Sequence, residues 1–160
     1  MSRDLAARIV GVLTERQQTV AVAESLTGGL LGAAITDIPG ASVVFRGGII
    51  AYATELKTAL LGVPAALLAR HGPVHPEVAA AMAAGARDRL GATFGMATTG
   101  VAGPDPADGK PAGTVHIAVS AGPEPVTREL TLTGGRDEVR RDTVEQALRL
   151  LWHMLREEGA

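Results

Sequence analysis

An apolar strand gives way to a helix within the stretch Thr19-Val20-Ala21-Val22-Ala23-Glu24-Ser25-Leu26-Thr27-Gly28-Gly29. Residues 19–23 have the length and composition of a short buried strand, and the glycines that follow indicate a turn. A strand that leads through such a turn into a helix is typical of α/β folds. Ser25 lies at this turn, where an α/β fold can hold a nucleophile.

The rest of the chain alternates between helical and extended patterns. Apolar spacing predicts helices near residues 2–13, 28–37, 56–61, 64–71, 76–90 and 136–156. Runs rich in β-branched or aromatic residues predict strands at 43–53, 94–98, 114–121 and 126–133. This order predicts a layered α/β sandwich in one domain over residues 1–160, with at least one late strand antiparallel to the others.

Composition excludes several classes of protein. The 15 Lys+Arg and 17 Asp+Glu residues give a net charge of -2, and aromatic residues make up 2% of the chain. Because neither a basic field nor a set of stacking rings is present, we expect no nucleic-acid partner. No apolar run approaches the length of a membrane span, and there is no cysteine. These features predict a cytoplasmic protein without a membrane partner.

Lys57 is a candidate general base. The chain has only two lysines, Lys57 and Lys110. Arginine stays protonated in proteins, whereas a partly buried lysine can lose its proton and accept one from a serine. The alternative is a solvated lysine on a helix. Tyr52 could assist Lys57 through a hydrogen bond, or it could serve only in packing.

The turn at Ser25 also has two interpretations. Backbone N–H groups of Thr27, Gly28 and Gly29 at a helix start could stabilise an oxyanion. Alternatively, Ser25 or Thr27 caps the helix and the glycines serve the turn. A second polar turn follows the strand at residues 94–98, where Thr99 and Gly100 could meet Ser25 at the same sheet edge, unless they too serve only the turn.

Arg136 and Arg140 lie four residues apart, on one face of the last helix and near its start. Cations oppose the helix dipole there, so the two arginines could hold an anionic phosphate, or Asp137 and Glu138 could offset them locally. The four histidines lack the spacing of a metal site. We therefore expect neither a metal nor a cofactor.

Five blocks that occur in order along the chain resemble the CinA C-terminal domain family. They are residues 23–29, residues 47–52 with Lys57 and residues 61–63, residues 98–104, residues 113–115, and Arg136 with Arg140. One departure lies at Asp105-Pro106-Ala107-Asp108, where relatives commonly have a glycine-rich loop.

The resemblance implies a three-layer α/β/α sandwich with a mixed, mostly parallel sheet. It also implies a stand-alone nicotinamide-nucleotide amidase, which hydrolyses nicotinamide mononucleotide to nicotinate mononucleotide and ammonia. Carried onto this chain, it makes Ser25 the nucleophile and Lys57 its base, with Tyr52 and Thr99 assisting.

The remaining expectations concern partners. Relatives suggest a homo-oligomer, for which the alanine-rich helix at residues 76–90 could supply an interface. The alternative function is a nucleotide-binding or regulatory module that has the same pocket without turnover.

Overall fold

The structure is a computed structural model that describes residues 2–159. Its strands are β1 (Val20–Glu24), β2 (Phe45–Ile50), β3 (Phe94–Gly100), β4 (Thr114–Ser120) and β5 (Val126–Thr131). Its helices are α1 (Ser2–Arg16), α2 (Leu30–Thr36), α3 (Thr54–Leu61), α4 (Ala65–His71), α5 (Pro76–Leu90) and α6 (Arg136–Glu158). The elements follow the predicted order. None of these helices is long and apolar enough to cross a membrane.

The five strands form one mixed sheet in the order β2-β1-β3-β4-β5. Strand β1 pairs in parallel with β2 and β3, whereas β4 is antiparallel to both β3 and β5. The expected three-layer α/β/α sandwich with a mixed sheet is confirmed. Strands β1, β2, β3 and β5 run in one direction and β4 runs in the other, so two of the four pairings are parallel and two are antiparallel.

The alternation of side chains along β1 divides the core into two layers. Val20 and Val22 pack with apolar residues of α1, α2 and α6 on one face of the sheet. Ala21 and Ala23 point to the other face, where they pack against α5. Both faces of β1 are covered, so all five of its residues are buried.

Helix α5 lies close to the sheet because small residues line its inner face. Ala79, Ala83 and Ala86 are fully buried there, against Ala21, Ala97 and their neighbours. The sequence offered this helix as an interface between subunits, but the structure uses its small-residue face within the fold. A homo-oligomer therefore stays a prediction without an assigned surface.

The strand expected at residues 43–53 is shorter in the structure. A turn of 3-10 helix occupies Ala41–Val43, and β2 ends at Ile50. Residues 51–53 leave the sheet and lead directly into α3, which begins at Thr54. This early exit brings α3 over the carboxyl ends of β1, β2 and β3, where ligands commonly bind in α/β sheets.

Gly85 gives a direct test of the packing between α5 and α3. A Cβ atom at Gly85 would overlap the backbone carbonyl of Leu61, whereas one at Gly11 in α1 would meet nothing. We expect Gly85→Ala to lower the free energy of unfolding by about 1–3 kcal/mol through overpacking. Gly11→Ala, the matched control, should raise it by roughly 0.5–1 kcal/mol. Urea denaturation of both variants measures this, and equal stabilisation by the two substitutions would contradict the packing described.

Candidate active site

Ser25 and Lys57 are in contact at the carboxyl edge of the parallel strands. Ser25 directly follows β1, and Lys57 lies in the first turns of α3. The Lys57 Nζ atom is 3.0 Å from the Ser25 Oγ atom. Both residues are buried, and Lys57 is only 1% exposed. The two candidate catalytic residues that the sequence identified are therefore within hydrogen-bond distance of each other.

Two backbone carbonyls share the amine of Lys57 with the serine. Nζ donates to the oxygen of Ala51 at 2.7 Å and, at 3.4 Å, to that of Tyr52. A neutral amine has two hydrogens for these carbonyls and one lone pair for the serine hydroxyl. Burial lowers the pKa of Lys57 from 10.5 to about 8, although the Asp108 and Glu55 carboxylates oppose this shift.

The Glu24 carboxylate fixes the turn that holds Ser25. It is 2% exposed and accepts from the N–H groups of Gly29, Leu31 and Gly32 at 3.2, 2.8 and 3.0 Å. It also accepts from the Thr27 hydroxyl at 2.6 Å. These donors include the first backbone amides of α2, whose N-cap residue, Gly29, has no side chain to satisfy them. Glu24, at the end of the preceding strand, thus provides the cap that Gly29 cannot.

Arg140 holds the same turn from its carbonyl side. Its Nε atom donates to the oxygen of Leu26 at 2.9 Å, and its Nη2 atom donates to that of Thr27 at 3.3 Å. The Ser25 amide donates to the backbone oxygen of Thr98 at 3.2 Å. The turn is therefore tied to α6 and to β3 as well as to Glu24. Arg140 as a phosphate ligand stays a prediction, and the guanidinium is engaged with backbone carbonyls in this structure.

The candidate oxyanion donors differ from one another in availability. The Gly28 amide donates to the Ser25 oxygen, and the Gly29 amide donates to Glu24. Within residues 2–159, neither the Leu26 nor the Thr27 amide donates a hydrogen bond to the protein. The amide that follows the nucleophile is a frequent oxyanion donor. The unengaged amides are those of Leu26 and Thr27, whereas the sequence had suggested Thr27, Gly28 and Gly29.

A cavity of about 390 Å³ opens above the Ser25 and Lys57 side chains. This volume is within the range of small-molecule sites. Of the expected site residues, those that line it are Ser25, Lys57, Tyr52, Thr99, Gly100 and Arg136. Thr27, Gly28, Gly29 and Arg140 are not part of its wall and belong to the turn behind Ser25.

The side chains of the two expected helpers, Thr99 and Tyr52, bond to groups other than the Ser25 and Lys57 side chains. The Thr99 hydroxyl donates to the oxygen of Pro73 at 2.8 Å. The Tyr52 hydroxyl faces Arg136, whose Nη2 atom is 3.4 Å away, and the Nη1 atom of Arg136 donates to the Gly103 oxygen at 2.7 Å. Arg136 therefore stands at the cavity, whereas Arg140 supports the turn.

Sequence reasoning missed Glu24 and Thr98. The Thr98 hydroxyl is fully buried, 2.8 Å from that of Thr27 and 3.4 Å from the Ser25 amide. A glycine at the N-cap of a short helix, preceded by a carboxylate at the end of a strand, is the signal that could have identified Glu24. Thr98 carries no comparable signal, because its role depends on the pairing of β1 with β3.

Within residues 2–159, one group of side chains could hold a metal ion. His71, His75 and Glu77 each place a ligand atom within 4.8 Å of the others. However, the two imidazole rings stack with centroids 3.9 Å apart, and His75 Nδ1 accepts from the Glu77 amide at 3.2 Å. The His75 side chain therefore serves as the N-cap of α5.

Comparison with known proteins gives one consistent result. The sequence profile of the CinA C-terminal domain matches residues 2–155. A CinA-like protein of Frankia casuarinae is 54% identical over 147 residues, covering 92% of this chain and 34% of that protein. A CinA-like protein of Parasynechococcus marenigrum is 50% identical over 147 residues, covering 90% of this chain and 35% of that protein.

One solved structure has the same fold as this chain. The competence/damage inducible protein CihA from Agrobacterium tumefaciens superposes with a TM-score of 0.91 and 38% identity, over 95% of this chain and 94% of that one. The chain spans about a third of the length of the curated relatives it matches.

Substitution of Glu24 tests whether its carboxylate holds the turn. Glu24→Gln replaces one acceptor oxygen with a donor that would face backbone N–H groups, so we expect the free energy of unfolding to fall by about 2 kcal/mol. Glu15→Gln, on the exposed side of α1, is the matched control and should change stability by less than about 0.5 kcal/mol. Urea denaturation compares the two, and equal stability would show that Glu24 does not carry this role.

Proposed function

This chain belongs to the CinA C-terminal domain family, and we propose that it is an amidohydrolase that converts nicotinamide mononucleotide to nicotinate mononucleotide and ammonia. The observation that carries the proposal is the 3.0 Å contact between the Lys57 Nζ and Ser25 Oγ atoms beneath an open cavity. This pair supports nucleophilic hydrolysis as the reaction class, and the substrate is the one that the family resemblance implies.

Lys57 would activate Ser25 as a general base. With a pKa of about 8, roughly a tenth of Lys57 is neutral at about pH 7. The neutral amine keeps its hydrogens on the Ala51 and Tyr52 carbonyls and accepts the serine proton on its lone pair. Because the deprotonated form is the base, the rate of acylation should rise with pH until it levels off above about pH 8.

The reaction would proceed through an ester on Ser25. Attack of Oγ on the carboxamide carbon forms a tetrahedral oxyanion, which the unengaged amide of Leu26, a residue of the cavity wall, can receive. The C–N bond then breaks, and the Lys57 ammonium gives its proton to the leaving nitrogen, so that ammonia departs. Water, deprotonated by the same amine, hydrolyses the ester and restores Ser25.

The cavity wall supplies groups for the rest of the nucleotide. Arg136 is the proposed phosphate ligand, because its guanidinium lines the cavity at the first residue of α6 and has Tyr52 beside it. Cationic donors and helix N-termini both favour phosphate. Arg140 would contribute indirectly by keeping the Leu26 and Thr27 carbonyls turned away from the oxyanion.

The Asp108 carboxylate favours a second candidate function, a nucleotide-binding module without turnover. Asp108 and Glu55 both stabilise the protonated form of Lys57, which cannot act as a base. Such a module would keep the cavity and bind the nucleotide while releasing no ammonia. An ammonia assay on the unmodified protein separates the two functions.

Substitution of the two reacting side chains tests the amidase proposal. We expect Ser25→Ala and Lys57→Met each to reduce ammonia release from nicotinamide mononucleotide by at least roughly 1,000-fold, because each removes a group that the chemistry requires. Lys110→Met, which replaces the only other lysine, should leave the rate within about twofold. Circular dichroism checks that the variants fold. Full activity in Ser25→Ala or Lys57→Met would remove the mechanism.

A further inference from the structure

A small hairpin presents a carboxylate at the cavity. Ala107 and Lys110 exchange two backbone hydrogen bonds, of 3.0 and 2.9 Å. Between them, Asp108 and Gly109 have φ angles of 52° and 73°. Two consecutive residues in the left-handed region form a type I′ turn, whose geometry is well defined. The position of Asp108 is therefore set by the backbone of the hairpin.

The Asp108 carboxylate has no partner of opposite charge in the structure. Asp108 lines the same cavity as Ser25, Lys57 and Arg136. Within residues 2–159, no basic side chain lies within ion-pair distance of it. Its charge nevertheless acts on Lys57, which it favours in the protonated form. An unpaired anion at a cavity is a feature that a cationic ligand would complement.

The ring of nicotinamide mononucleotide is such a cation. Its pyridine nitrogen is bonded to ribose and carries a fixed positive charge, whereas free nicotinamide and most small amides are neutral. We propose that Asp108 is a specificity-determining residue, which selects N-substituted, positively charged pyridine carboxamides over neutral amides at this site. The inference rests on the proposed function, which places the carboxamide at Ser25.

Selection by charge has a consequence for the base. The charged groups that act on Lys57 are Asp108 and, from its own helix, Glu55. Asp105 and Arg136 also line the cavity. A bound cationic ring would screen Lys57 from Asp108 and add a positive charge of its own. Both effects lower the pKa of Lys57. Binding of the cationic substrate would therefore favour the neutral amine that acts as the base, whereas binding of a neutral amide would not.

Binding to the Ser25→Ala variant tests the inference without turnover. The two probes are nicotinamide mononucleotide and its 1,4-dihydro form, which share the carboxamide, ribose and phosphate but differ in ring charge. Titration calorimetry at about pH 8 gives the ratio of their dissociation constants. We expect the cationic form to bind about tenfold more tightly, which is the effect of one close ion pair.

Asp108→Asn, added to Ser25→Ala, removes the charge alone. Asparagine followed by glycine is a preferred type I′ sequence, so the hairpin should be retained. We expect this substitution to abolish most of the tenfold preference by weakening binding of the cationic form only. Asp142→Asn, on the exposed side of α6, is the matched control for net charge and should preserve the preference.

The outcomes distinguish this inference from the proposed function. An equal ratio in the Asp108→Asn and Asp142→Asn variants would overturn charge selection, as would failure of both nucleotides to bind at millimolar concentration. Ammonia release by the unmodified protein together with an unchanged ratio would leave the amidase standing and remove the role of Asp108. A lost preference in Asp108→Asn without any ammonia release would support charge selection and contradict hydrolysis.

Discussion

The structure depends on the burial of one amine beside one hydroxyl. The Lys57 side chain is almost inaccessible to solvent. Removing an ammonium from water is costly in free energy unless the group is paired or loses its proton. No carboxylate contacts Nζ among the described residues, and its partners there are two carbonyls and Ser25. These surroundings lower the pKa of Lys57 to about 8, so that part of the amine is neutral near neutral pH and can take a proton from a serine.

This arrangement requires a rigid turn, and two opposite charges provide it. Glu24 binds the amides of the turn and of α2, while Arg140 binds the carbonyls of Leu26 and Thr27. A seven-residue helix with glycine at its N-cap has little stability of its own. The carboxylate from β1 and the guanidinium from α6 supply what the short helix lacks, and they leave the two amides nearest Ser25 unoccupied.

Much of the fold was predictable because it depends on local patterns. The order of strands and helices follows from apolar spacing, and the scarcity of lysine identified Lys57 before its contact with Ser25 was known. The separate roles of Arg136 and Arg140 were not predictable. A spacing of four residues places both on one face of the helix, but it does not show which groups each side chain contacts. The role of Thr98 likewise depends on the pairing of β1 with β3, which no local pattern specifies.

Because the chain has only two lysines, the pKa of Lys57 can be measured directly. NMR titration of the protein labelled with ¹⁵N at the lysine side chains would give two Nζ signals, one each for Lys57 and Lys110. We expect one signal to titrate at about 8 and to disappear in Lys57→Arg. Two signals that both titrate above about 10, as solvated lysines do, would contradict it.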